Sequence, residues 1–315
     1  MRVKFVNLFD NRHGYPGKFD VYECPNCGFM QTKPQLSFRT LTQTYTNYYP
    51  KRDADIKGII EALKSMPTQR EISQKGLGTT SHFQTHKGQK VLDIGCGTCQ
   101  SLLEIKKLGG EAWGIDPDKN SQKVANKLKL KFHLGTIHNC KFPTKYFDLI
   151  TASQVLEHEP DPLKFLKDSK KFLKKNGKII MSFPNTDSLF EKIWGRNWLH
   201  WHIPYHVNHF NKKSLELLAE KSGFKINSLN TVTPNLWTVL QIRSVINNPR
   251  EGQRDSMWDP GENNTGESKK QNLLHSFIVK LLPVIQSLLF INRIIDALGL
   301  GESFVVQLHA SGKSS

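Results

Sequence analysis

Val91-Leu92-Asp93-Ile94-Gly95-Cys96-Gly97 is an apolar run that ends on a carboxylate and two glycines one residue apart. A short run of that kind reads as a buried strand, and Gly95-Cys96-Gly97 as the tight turn that leaves it. Outward from this turn, the pattern alternates. Ser101 to Leu108 has helical spacing and stops at Gly109-Gly110. Glu111 to Ile115 is a second strand with Asp116 at its end, followed by a helix over 119–129. Lys131 to Leu134 is a third strand, and Phe147 to Ala152 a fourth, followed by a helix over 161–174. Lys178 to Phe183 is a fifth strand. A helix over Lys212 to Ser222, closed by Gly223, leads to a sixth, Phe224 to Val232. Alternation of short strands and helices predicts a parallel sheet covered on both faces, an α/β fold. Gly301 to His309 alternates apolar and polar residues and predicts a seventh strand pairing with the sixth.

The first turn predicts a nucleotide-like ligand, since glycines let a ligand lie against bare backbone and Asp116 can accept the two hydroxyls of a ribose. The dinucleotide pattern needs a third glycine, where Gln100 stands. A phosphate-cradling loop needs a lysine, yet residues 93–100 contain neither Lys nor Arg. Asp93 would repel a pyrophosphate, whereas it suits a cofactor carrying an ammonium and a sulfonium.

Four segments in order, Val91 to Thr98, Gly114-Ile115-Asp116-Pro117, Phe147-Asp148-Leu149-Ile150 and Gln154-Val155-Leu156-Glu157-His158-Glu159-Pro160-Asp161-Pro162, resemble class I S-adenosylmethionine-dependent methyltransferases. Within them, the resemblance is closest to the ubiquinone-type O-methyltransferase and bacterial surface-polysaccharide branch, and it covers about residues 86–232. It implies a seven-stranded Rossmann-like sheet with its last strand antiparallel. It also implies that Gly95 and Gly97 line the methionine part of S-adenosyl-L-methionine, Asp93 fixes its amino group, and Asp116 takes the ribose. Thr136 and Ile137 would flank the adenine, with Cys96, Pro117, Ser153 and Gln154 completing the cofactor-facing set. The Gly135-Thr136-Ile137-His138 loop departs from relatives that carry an acidic residue there.

Methyl transfer requires an acceptor held in line and stripped of water, and a hydroxyl acceptor also needs a base, for which histidine is the natural side chain. The candidates are His206, His158 and His209. His158 follows the fourth strand; the other two lie in Trp194 to Phe210, whose Trp and His density marks a lid or substrate pocket over 186–211. Part of that segment, Pro204 to Phe210, also resembles one recurring in polysaccharide-associated methyltransferases. Metal binding by His200, His202, His206 and His209 is the alternative, although no carboxylate accompanies them in sequence. Cys24-Pro25-Asn26-Cys27 is half of a zinc-ribbon signature. Relatives often carry two such knuckles, so the segment reads as truncated and zinc there needs further ligands.

The chain has 315 residues, with Lys+Arg 44 against Asp+Glu 28 and a net charge of +16. That excess favours anionic partners, but the lysines are scattered and the aromatic–basic interleaving of base readers is missing. Five cysteines, two of them in a C-x-x-C, do not form a disulfide framework, and the longest apolar stretch, 281–291, is too short to span a bilayer. The compartment reading is cytoplasmic, including the membrane periphery. The expected organisation is a loop-rich segment over 1–50, a helical lead-in over 51–85, and a core over 86–246. A linker over 247–272 and an apolar helical insertion with the terminal strand over 273–315 complete it. The insertion reads as a lid, a homodimer contact or, over 273–298, a peripheral membrane contact. The expected function is methyl transfer to a small or lipid-linked acceptor, a hydroxyl of a saccharide or cell-envelope precursor. A non-catalytic cofactor-binding scaffold and a methyltransferase acting on nucleic acid are the alternatives.

Overall fold

The computed structural model describes residues 1–37, 40, 43–44, 47–48, 56–255, 258 and 290–311. Two sheets organise them. The larger contains β4 (Lys90–Ile94), β5 (Glu111–Asp116), β6 (Lys131–Leu134), β7 (Phe147–Ser153), β8 (Leu173–Pro184), β10 (Phe224–Val232) and β11 (Ser303–Ala310), in the order β10-β11-β8-β7-β4-β5-β6. β4, β5, β6, β7 and β8 run parallel, while β11 lies antiparallel to both β8 and β10. This is the expected seven-stranded Rossmann-like sheet. Its central strands are buried on both faces, as Val91, Leu92, Leu149, Ile150, Ile179 and Ile180 show with no exposed surface. Parallel sheets need such continuous apolar runs because helices cover both sides.

Helix boundaries follow local chemistry. Asp161 caps the helix Pro162–Phe172 by accepting from the Lys164 amide, with Pro162 at its first position, where a missing N–H costs nothing. Asn211 caps Lys212–Ser222, and Gly223 ends that helix in the left-handed region.

The smaller sheet has the order β1-β2-β3-β9, from β1 (Arg2–Leu8), β2 (Phe19–Glu23), β3 (Met30–Lys33) and β9 (Asn208–His209). The N-terminal segment and the 186–211 segment meet in this sheet, because β9 pairs antiparallel with β3 through Met30–His209 and Gln31–Asn208. The 186–211 segment is itself packed. Trp198, Trp201 and Ile203 are buried in one cluster with Leu8, Phe19, Val21 and Met30. Apolar surface of that size stays against a partner, and the small sheet provides it.

Of the expected linker, 256–257 and 259–272 lie outside the described residues, as do 273–289 of the insertion. The described remainder of the insertion carries a helix at Ile291–Ala297. Among the described residues, no helix is long and apolar enough to cross a membrane.

Candidate functional site

The carboxyl ends of β4, β5 and β7 bring most of the expected cofactor residues to one edge, where open α/β sheets bind ligands. Gly95 and Gly97 are exposed and have φ of +72° and +51°. A Cβ on Gly95 would come within 2.6 Å of Val155 Cγ2, whereas a Cβ on Gly97 would meet nothing within 4 Å. Gly97 is thus a bare shelf. The shelf is tied down from two sides: the Gly97 amide donates to Asp116 Oδ2 at 2.9 Å, and the Gly95 amide donates to the Ile115 carbonyl at 2.8 Å. Asp116 also accepts from the Asp118 amide at 2.8 Å, and burial raises its pKa.

Asp93 lies beneath the shelf, 4% exposed, and accepts from the Thr151 hydroxyl at 2.6 Å and the Ser101 hydroxyl. Burial pushes its pKa up, with the positive potential of His82 and the two hydroxyls opposing. It braces the turn against β7 and the following helix. Cys96 is buried. Pro117 is exposed after Asp116, Thr136 is half-buried with its amide on Asn139 Oδ1, and Ile137 is buried in the main core. Ser153 Oγ accepts from the Ser81 amide, and Gln154 holds φ +56° while its amide donates to the Ser182 carbonyl. These residues fit a cofactor with a ribose and a cationic head: bare backbone at Gly97, a carboxylate at the second strand end, and no lysine or arginine within the turn.

Beside this edge, the 3₁₀ turn Leu156–His158 leaves β7. The 200–209 segment is stitched onto it, since the Val207 amide donates to the Glu157 carbonyl at 2.9 Å and Asn208 Nδ2 to the Glu159 carbonyl at 2.6 Å. The Thr32 hydroxyl of β3 donates to the His206 carbonyl from the other side. As a result the His158 and His206 rings meet edge to face, 4.6 Å between centroids. His158 Nδ1 is hydrogen-bonded to the Tyr205 carbonyl at 3.0 Å and His206 Nδ1 to the His200 carbonyl at 2.8 Å. His206 Nε2 lies 3.9 Å from Glu157 Oε1. His209 is held differently, with Nε2 against the Thr32 hydroxyl at 2.9 Å and its ring on Trp201.

Burial keeps these imidazoles neutral. It lowers His158 to about 4 and His209 to about 3, and holds His206 well below its ordinary value, with the neighbouring His158 adding to the effect. The same burial raises Glu157 to about 8.

One residue of the site was not singled out from sequence. Glu157 is 1% exposed and belongs to the site; the signal was a carboxylate next to His158 at a strand end. His13 and His202 extend the histidine group, with ring centroids 5.6 Å apart and His202 4.8 Å from His206. His13 is placed by Asp10, whose carboxylate accepts from the backbone amides of Arg12, His13 and Tyr15. Cys24 and Cys27 sit between β2 and β3. Among the described residues, no third His, Cys, Asp or Glu joins them in a metal-binding group.

A family model described as "Methyltransferase domain" matches residues 69–229. The Ubiquinone biosynthesis O-methyltransferase of Pelagibacter ubique is 30% identical over 176 residues, covering 50% of this chain and 72% of that protein. The protein of the same name from Bradyrhizobium diazoefficiens is 31% identical over 132 residues, 40% of this chain, and the match spans about half, 52%, of its length. These relatives carry ubiquinone names, not the surface-polysaccharide ones that the sequence resemblance also suggested. Among solved structures, the cyclase SpnF superposes with a TM-score of 0.51 at 13% identity, covering 88% of this chain and 98% of that one. That likeness shows a shared fold and nothing about the reaction.

Proposed function

Because this chain belongs to the methyltransferase-domain family and is an S-adenosylmethionine-dependent methyltransferase, we propose that it methylates a hydroxyl of a small quinone-type aromatic precursor. The observation that carries this reading is adjacency. Val155, whose side chain touches the Gly95 position, is two residues from Glu157 and three from His158, so the cofactor shelf and the imidazoles lie at the same edge of the sheet. When bound, S-adenosylmethionine supplies the electrophilic methyl group.

The chain's own residues do the rest. Gly97 leaves room, and Asp116 offers a carboxylate to the ribose. Asp93 stiffens the turn through Thr151 and Ser101. His158 and His206, neutral and fixed through Nδ1 on backbone carbonyls, orient the acceptor hydroxyl. Positioning of this kind is worth up to about 7–11 kcal/mol of barrier, and the buried setting excludes competing water. The acceptor class is supported by the relatives' names; a saccharide or lipid-linked hydroxyl is the second reading, from the sequence resemblance.

Two measurements test this. Calorimetry should show S-adenosylmethionine binding that Asp116→Ala weakens by at least about tenfold, the scale of one charged hydrogen bond. Transfer of labelled methyl to a catechol-type polyprenyl acceptor should fall about 10²-fold or more in His206→Ala with cofactor affinity unchanged. Absence of cofactor binding would overturn the reading, and transfer to sugars alone would move the acceptor class.

A further inference from the structure

The loop after β6 turns on itself before the chain crosses to β7. The Thr136 amide donates to Asn139 Oδ1 at 3.0 Å, and the Asn139 amide to the Thr136 carbonyl at 3.2 Å. Gly135 opens this turn at φ +148°, and its amide donates to the Asp116 carbonyl at 3.0 Å. Residues 135–139 are therefore one unit, hinged on the strand end whose carboxylate holds the Gly97 amide. Internal hydrogen bonds give such a turn its shape, and outer fastenings set its tilt. Ile137, buried in the main core, is one of these, and His138 is another.

His138 stands between two carboxylates. Its Nδ1 lies 2.7 Å from Asp168 Oδ2 on the helix Pro162–Phe172, and its Nε2 lies 3.2 Å from Glu159 Oε2 in the lead-in to that helix. A neutral imidazole has one N–H and one lone pair, so only the imidazolium donates at both ends. Loss of the ring proton leaves a lone pair facing a carboxylate. The helix brings further charges to the group. Lys164 Nζ lies 3.0 Å from His138 Nδ1 and also holds Asp168, while Lys171 reaches Asp168 Oδ1 at 2.6 Å. Asp161, at the helix start, is turned to the Lys164 amide. The two lysines keep Asp168 engaged when the ring is neutral, which frees the turn rather than the helix. The hydrogen bond to Glu159 leads the influences that raise the His138 pKa, with burial opposing.

We propose that His138 is a positioning residue for the cofactor: as an imidazolium bridging Asp168 and Glu159 it sets the 135–139 turn, so that S-adenosylmethionine binding is coupled to proton uptake on this ring. This deepens the methyltransferase reading and rests on it, since Thr136 and Ile137 are there the residues that flank the adenine. A clamped turn meets the cofactor already placed, whereas a released one has to be ordered at the expense of affinity. By linkage, a cofactor that prefers the clamped form raises the proton affinity of the ring by the same factor. Affinity is therefore highest while the free protein already carries the proton. It falls as pH climbs through the pKa of the free protein and levels off above that of the complex.

The test is calorimetry of S-adenosylmethionine on the full chain, at pH values from below the ordinary imidazole pKa to well above the raised one. Each pH is run in two buffers of different ionisation enthalpy, which reads protons taken up. Across that range the parent's affinity should fall at least about fivefold, with fractional proton uptake in the middle. His138→Gln keeps an amide for one carboxylate without the charge, and should lose that part of both the slope and the uptake. Asp93, Asp116 and the cofactor's own amino group titrate in both proteins, so the difference between them isolates the ring. Identical slope and uptake in parent and variant overturn the proposal. Should His138→Gln fail to fold, Glu159→Gln removes one carboxylate and should move the fall in affinity to lower pH; an unmoved curve overturns the proposal. Cofactor binding without His138-linked uptake removes this inference alone, while absence of binding at every pH removes the methyltransferase reading and this inference with it.

Discussion

At the residue scale, the two glycines of the turn make opposite demands. Gly95→Ala forces a Cβ against Val155 at a φ that L-residues avoid, so it should lower the unfolding free energy by about 1–3 kcal/mol as well as impair cofactor binding. Gly97→Ala pays only the backbone term, about 1 kcal/mol, because the space around it is open. Its Cβ instead stands where a ligand would lie. Urea unfolding paired with S-adenosylmethionine calorimetry should therefore show Gly97→Ala losing more affinity than stability, and Gly95→Ala losing both. A second residue-scale feature supports the turn from below. His82 Nε2 and Glu104 Oε2 are 2.5 Å apart with both side chains buried, and Gln100 holds the other Glu104 oxygen. Removing one partner strands the other, so His82→Ala should destabilise by about 3–5 kcal/mol, measured by chemical denaturation.

At the scale of elements, the loop after β6 is fastened to the helix Pro162–Phe172 by charge. His138 contacts Asp168 at 2.7 Å and Glu159 at 3.2 Å, and the hydrogen bond to Glu159 leads those that raise its pKa above 6.5. A group raised on folding stabilises fully below its unfolded value and stops doing so as pH climbs past the folded one. The stability gap between the parent and His138→Gln should therefore be widest below the ordinary imidazole pKa and narrow as pH climbs past the raised one, as a series of urea titrations across that range would show. Elements of this kind were legible in the chain where pattern and punctuation agree. All seven strands of the large sheet, the capped helix ending at Gly223, and the turn at Gly95 follow from apolar runs and glycines. The helix Asn235–Asn247 was not foreseen, because it buries Asn235, Thr238, Gln241 and Arg243 while exposing Leu236, Ile242 and Ile246. No apolar stripe marks such a helix, since tertiary partners decide its faces. The site shows the same divide. Asp93, Gly97 and Asp116 are neighbours through strand order, which sequence reveals. The meeting of Glu157 with His206 depends on a loop docking across some fifty residues, and local pattern carries no record of it.

For the whole molecule, the two sheets are mutually dependent. The small sheet seats the segment that positions His206, through Thr32 and through the cluster of Phe19, Val21 and Met30 against Trp198 and Trp201. Deleting residues 1–33 should therefore lower the melting temperature and abolish turnover even though Asp93, Gly97, Asp116 and His206 all remain. Circular dichroism and a labelled-methyl assay would check it, and full activity in the truncated protein would contradict the arrangement. Conversely, the cofactor shelf is built at the ends of β4 and β5 in the large sheet, so its residual affinity in that deletion reports whether the large sheet folds alone.

The position of β11 sets an order of events during synthesis. It lies between β8 and β10, yet it is made about seventy residues after β10. Until residues 303–310 arrive, β8 ends in an open edge and β10 has no strand to join. A nascent chain paused in that interval presents two unsatisfied ladders, and a chaperone holding β10 apart would prevent the wrong pairing of β8 with β10.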